Sequence, residues 1–163
     1  MNLSEDTLLA VAGLAVALIG FSGVVTAIGR RGEGRWTPTE MLHLRTLVEP
    51  SAITLFGAFV PIIVGLLVGD IELKWRISNA LLLAAHLVGF SLFLTRGAAS
   101  ELYLSHKIMS AIAILIFCYQ LGSIFGLVSS HQVAFALCLL LGIGVGVHNF
   151  YLLLFVTQKE TRT

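Results

Sequence analysis

Long apolar runs alternate with short polar ones along the whole chain. Thr7–Gly29, Pro50–Gly69, Ile77–Thr95 and Ile108–Gln158 contain no Asp, Glu, Lys or Arg. About 20 apolar residues are enough to cross the hydrocarbon core of a bilayer. The last run is long enough for two crossings and is interrupted at Ser129-Ser130-His131-Gln132. The pattern predicts an all-α integral membrane protein, a bundle of five transmembrane helices near 7–29, 51–69, 77–95, 108–129 and 133–157. The chain reads as a single transmembrane domain over 1–163, with no internal repeat, low-complexity tract or linker.

A shorter element is predicted ahead of the second span. Thr37-Pro38-Thr39-Glu40 has the form of a helix start, with Thr37 as N-cap, Pro38 at the first helical position and Glu40 closing a capping box. The turns that follow put Met41, Leu44 and Val48 on one face. A short cytoplasmic interfacial helix is therefore expected near 38–48, between the first and second spans. Trp36 suits the headgroup level, and Arg30, Arg31 and Arg35 suit anionic lipid. The same group could instead dock a cytoplasmic partner or a phosphate-bearing substrate.

Composition agrees with the pattern. Of 163 residues, 57% are hydrophobic and only 12% charged, and the mean hydropathy is +0.95. A soluble domain carries about 25% charged residues. The distribution of the basic residues predicts how the chain is threaded. Lys74 and Arg76 fall on one side, whereas Arg30, Arg31, Arg35, Arg45, Arg96, Lys107, Lys159 and Arg162 fall on the other. Cytoplasmic loops collect Lys and Arg, so the N-terminus is expected outside and the C-terminus inside a plasma or inner membrane. The opening MNLSEDT lacks the basic segment of a secretory signal, and the first helix is expected to be a permanent span. The lipid bilayer is the expected partner, and nucleic acid is not.

Small residues mark surfaces for helix contact. Gly13, Ala17, Gly20, Val24 and Ala27 form one smooth seam on the first span. Gly65 and Gly69, Gly122 and Gly126, and Gly142 and Gly146 are further pairs four apart. Such seams let helix backbones approach closely in lipid. They serve folding within one chain, a homo-oligomer, or a larger membrane complex; the pattern alone does not divide these.

The candidate chemistry lies inside the spans. Counted from the bounding cytoplasmic charge at ~1.5 Å per residue, His86, His148, Cys118, Tyr119 and Pro61 share a level near the midplane. Asn79, His86 and Gly89 lie on one face of the third helix, and Tyr119 shares a face with Gly122 and Gly126. On the fifth helix His148 sits one turn from Gly144, and Asn149 shares the face of Gly142 and Gly146. Intramembrane polar groups are costly without partners and mark function by default.

Four uses follow. The histidines could pin helices together by hydrogen bonds to Tyr119 or Asn149. They could hold haem b between the third and fifth helices. With Cys118 they could bind a soft metal ion, copper or zinc. Or they could line a polar path beside a helix break at Pro61. Cys118 and Cys138 sit at different depths, which argues against a disulfide between them.

Absences narrow the list. No Lys lies within a span, and no Asp or Glu lies near the midplane, which argues against carboxylate-based proton pumping. H-E-x-x-H, G-x-S-x-G, G-x-x-x-x-G-K-[ST] and G-x-G-x-x-G are all missing. His43, Glu49, Glu101 and His106 supply acid and base groups at the cytoplasmic face, but no spacing fixes their geometry. The expectation is a non-enzymatic bundle of channel or transporter type, or a subunit of a larger complex. The alternative is an electron-transfer protein that holds haem or a metal at His86 and His148.

Overall fold

The structure is a computed structural model that describes residues 3–29, 38–95 and 104–160. It is all-helical over these residues: α1 (Glu5–Gly29), α2 (Pro38–Leu67), α3 (Ile71–Thr95), α4 (Leu104–Ile124) and α5 (His131–Glu160). All five are long and apolar enough to cross a membrane.

Local chemistry explains most of the helix ends. Ser4 Oγ accepts from Thr7 N at 3.2 Å and caps α1. Asp70 Oδ1 accepts from Leu73 N at 2.8 Å and caps α3, so this helix starts ahead of its apolar run. Its first turns carry Glu72 and Arg76, which pair one turn apart. Helix α4 stops at Ile124, short of the expected end at 129. Gly126, at φ +73°, makes this possible. Leu127 N donates to Gly122 O at 2.8 Å and Gly126 N to Ser123 O at 3.1 Å, a glycine-terminated cap. A side chain at 126 would also collide with Arg76, since a Cβ there lies 2.6 Å from Nη2.

The second helix corrects two expectations. No separate interfacial helix precedes the span: Pro38–Leu67 is one helix, and it runs through both Pro50 and Pro61. Pro61 therefore sits inside a continuous helix and does not break it. Each proline lacks an N–H, but transmembrane helices tolerate that loss where neighbours hold the segment. Leu47, Ser51, Thr54, Ala58 and Pro61 form a fully buried stripe at helical spacing. The expected N-cap Thr37 lies outside the described residues, as do Arg30, Arg31, Arg35 and Trp36.

Helix α5 is the hub of the bundle and packs on all four others. Among the described residues the backbone of α2 packs on those of α1, α3 and α5, that of α1 on α2 and α5, and that of α4 on α3 and α5. Between α2 and α5 the fit is close. A Cβ at Gly142 would collide with Thr54 Oγ1 and lie 3.1 Å from Pro50 O. One at Gly146 would lie 2.7 Å from Ser51 Oγ. These two glycines are the small pair that lets α2 and α5 approach.

The seam on α1 behaves differently. Gly13, Ala17, Gly20, Val24 and Ala27 are exposed, and added Cβ atoms at Gly13 and Gly20 meet nothing within 4 Å. The face of α1 turned into the bundle carries Leu8, Ala12, Ala15 and Ser22 instead. Large apolar side chains such as Phe56, Leu66, Leu115 and Leu127 are exposed on the outside of the bundle.

Candidate functional site

Helical spacing brings the polar residues of three spans inward. On α3 the buried face is Trp75, Ser78, Asn79, Leu82, Leu83 and His86. On α4 it is His106, Ala113, Phe117, Gln120 and Ser123. These faces meet α5 and form two polar groups at different levels along it. One lies toward the Asp70 end of the bundle, the other toward the Glu40 end.

The group toward the Asp70 end is knitted by hydrogen bonds. Asn79 Nδ2 donates to Trp75 O at 2.8 Å and to His131 O at 3.0 Å. Gln120 Nε2 donates to Asn79 O at 3.2 Å. The Cys138 thiol donates to Gln120 Oε1 at 3.1 Å. Asn79, Gln120 and Cys138 are all fully buried, and their bonds tie α3, α4 and α5 together. Asn79 Oδ1 is the one orphaned acceptor among these three side chains. At the edge of the group Ser123 Oγ lies 2.8 Å from His131 Nδ1, and His131 Nε2 lies 3.8 Å from Glu72 Oε1. The row has the members of a hydrolytic triad but not its access: Ser123 is fully buried. It clamps the α4–α5 connection.

The group toward the Glu40 end surrounds space. The backbones of α2 and α4 do not pack on each other, and a partly open cavity of about 100 Å³ lies among α2, α3, α4 and α5. Its walls are mainly apolar, with Ile53, Phe90, Met109, Phe117 and Val145 among them. Its polar lining comes from Arg45, Thr46, Glu49, His86, His106, Ser110, His148 and Asn149. His106 is sandwiched between Phe93, at a centroid distance of 6.2 Å, and His43, at 5.6 Å. His106 and His148 meet edge to face, with ring centroids 5.5 Å apart. Asn149 Nδ2 donates to Val145 O at 2.9 Å. That leaves Asn149 Oδ1 to accept from His43 Nδ1 at 3.1 Å, so His43 carries its proton there.

His86 lines this cavity from α3. It is 6% exposed, and its ring lies 5.9 Å from that of Phe117. Its Nδ1 lies 3.0 Å from Leu82 O. A carbonyl only accepts, so Nδ1 carries the hydrogen and the neutral ring presents a bare lone pair at Nε2. That Nε2 is buried and has no hydrogen-bond partner, and the same holds for His148 Nε2.

The sequence-predicted residues are placed as follows. His86 and His148 line the same cavity but not one level. His86 Nδ1 sits 3.7 Å from Cys138 Sγ, and ten residues of α5, about 15 Å of helix, separate Cys138 from His148. One haem iron cannot take both rings across that separation. The cysteine beside His86 is Cys138; Cys118 is exposed on the outer face, and both thiols are free. Tyr119 is half-buried, while the buried position on α4 belongs to the next residue, Gln120. His43 and His106, expected as separate surface groups, form a buried stack. Glu49 lines the cavity, and Glu101 lies outside the described residues.

Sequence reasoning passed over Gln120 and Cys138. The signal was present, because Ala113, Phe117, Gln120 and Ser123 recur at helical spacing and a lone glutamine in an apolar run calls for a partner. Among the described residues no three His, Cys, Asp or Glu side chains are grouped to hold a metal ion. No protein-family model, no curated protein and no solved structure matches this chain.

Proposed function

We propose that this chain is a non-enzymatic membrane bundle of channel or transporter type that takes a small molecule between its helices. The cavity among α2, α3, α4 and α5 carries this reading. It combines apolar walls, polar groups at Arg45 and Glu49, and unpartnered imidazole nitrogens at His86 and His148. Ligand sites have this make-up, mostly apolar with a few placed polar groups. The basic residues support a topology with the N-terminus outside and the C-terminus in the cytoplasm of a plasma or inner membrane. The exposed small-residue seam on α1 supports association between chains, as a homo-oligomer or within a larger complex.

Toluene tests the cavity by size alone. In detergent-purified protein, intermolecular NOEs are expected between toluene and the methyl groups of Ile53, Met109 and Val145. They disappear in Ala113→Phe, which fills the cavity from α4. NOEs confined to outward-facing methyl groups would sink the reading.

The second reading, a haem- or metal-binding electron-transfer protein, draws on His86. A metal-ligating histidine commonly donates its other ring N–H to a backbone carbonyl, as Nδ1 does to Leu82 O. A Soret band or bound metal lost in His86→Leu would establish it.

A further inference from the structure

We infer that His43, His106 and His148 form a proton-operated latch: neutral rings hold α4 to α2, and protonation parts them and opens the cavity at its Glu40 end. The inference does not depend on what the cavity takes in. It starts from a gap. Among the described residues the backbones of α2 and α4 do not pack on each other, and rings bridge them. His43 of α2 and His106 of α4 stack with centroids 5.6 Å apart and planes inclined by 24°. Phe93 of α3 stacks on His106 at 6.2 Å, and His148 of α5 meets it edge on at 5.5 Å. Each helix around the cavity thus gives one ring to a single layer. Along the cavity lining, Phe93 and His106 are the residues of α3 and α4 nearest the Glu40 end, and His148 and Asn149 are those of α5. The ring layer is the end wall of the cavity.

This layer suits neutral rings and not charged ones. His43 and His106 are buried and His148 is half-buried, so a charge placed there is held away from water. His43 Nδ1 donates to Asn149 Oδ1 at 3.1 Å, a bond that a neutral ring already makes. Protons on His106 and on either neighbour set like charges in direct ring contact. Their repulsion is relieved when the rings part and reach water, and no packed backbones join α2 to α4 to resist it. Histidine clusters at interfaces respond to acid in this way. Other titratable or charged groups surround the layer. Glu40 lies one turn before His43 on α2, Arg45 and Glu49 line the cavity, and Lys107 follows His106 on α4. Tyr151 lies one turn beyond His148 on α5, and on α3 the nearest described titratable group is His86, two turns from Phe93. Helix α1 carries its described charges, Glu5 and Asp6, in its first turn. Glu40 and Glu49 are therefore the other nearby groups that acid can neutralise, and the test separates them from the rings.

The test reads the distance between α2 and α4 by pulsed EPR on the full chain in lipid nanodiscs. Spin labels go on Phe56→Cys and Ile108→Cys, two exposed positions, in a Cys118→Ser background. Between about pH 8 and about pH 5, where histidine titrates, the distance is expected to grow by about 2 Å or more. His106→Phe keeps an aromatic ring between Phe93 and His43 but takes no proton. A proton on His43 then lies over an uncharged ring, which tolerates it, so the distance stays short at both pH values. The 15N resonances of the wild-type histidine rings are followed in parallel, and their protonation is expected in step with the distance change. A wild-type distance unchanged by acid overturns the inference. So does an increase that persists in His106→Phe, which would assign the response to Glu40 or Glu49. Should His106→Phe fail to fold, the wild-type resonances decide: rings that stay neutral while the distance grows overturn the latch, and rings that protonate with it uphold it. Absent toluene NOEs would leave this outcome untouched, so the latch and the ligand reading fail separately.

Discussion

Two polar groups lie along α5, and they differ in what their atoms are doing. Asn79, Gln120 and Cys138 spend nearly all their donors and acceptors on one another and on backbone carbonyls. Ten residues further along α5, His148 shares a cavity with His86, and each ring keeps a buried nitrogen without a partner. Both groups are buried and polar, so polarity inside a long apolar helix does not by itself distinguish scaffold from site. What differs is bonding between helices: the first group ties α3, α4 and α5 together, with Asn79 Oδ1 as its orphaned acceptor, whereas His86 and His148 line a cavity.

The comparison can be broken at several points. The largest effect is expected at the α2–α5 contact. Gly142→Ala drives a methyl group into Thr54 Oγ1 and against Pro50 O; overpacking of this kind costs about 1–3 kcal/mol. The unfolding midpoint in detergent should fall clearly, and an unchanged midpoint would mean that the helices are less tightly apposed than described.

Gln120→Leu should come next. It removes the bond to Asn79 O and the acceptor of the Cys138 thiol. Side-chain bonds between membrane helices average about 0.6 kcal/mol and reach about 1.7, so a loss near ~1–2 kcal/mol is expected for the pair. Reversible unfolding by a denaturing detergent would measure it. A stability equal to wild type would show that the network is not the scaffold.

His86→Leu should be milder for folding, although its ring is also buried. The substitution gives up the Leu82 O bond but also removes the orphaned Nε2. Its cost is expected below ~1 kcal/mol, smaller than that of Gln120→Leu in the same assay. A larger loss at His86 would turn the comparison round and make His86 structural.

Gly13→Ala should be nearly silent in the stability of one chain, within about ±0.5 kcal/mol. Its added methyl meets nothing in the bundle. Cross-linking in native membranes then asks about association: fewer dimers in Gly13→Leu are expected if the α1 seam joins chains, and unchanged cross-linking would exclude that role.

Several features were legible from residue order. The spans were visible as charge-free runs, and the inward face of α3 was visible from the spacing of Asn79 and His86. The pairing of Gly142 and Gly146 as a contact surface was visible too. Other features were not. Pro50 looked like the boundary between two helices, because proline's missing N–H is a local cost that sequence shows, while the buried stripe from Leu47 to Pro61 that offsets it is not. The register of His148 against His86 is not written in the positions of the charges, because it is set by how α5 packs on α3. The seam on α1 looked like a packing surface, and its outward direction depends on how α1 is rotated against α2 and α5.

The sequence by itself determined that five helices form, which stretches are apolar enough for lipid, and which polar residues ride on them. These are one-dimensional properties, set by the cost of charge in hydrocarbon and by the 3.6-residue period. The tertiary structure alone decided that Cys138 rather than Cys118 meets His86, that the backbones of α2 and α4 stand apart around a cavity, and that one nitrogen of His86 is left without a partner. Hydrogen-bond partnership depends on the register and rotation of helices far apart in the chain, and shifts of a few ångströms there decide whether a polar atom is bonded or open.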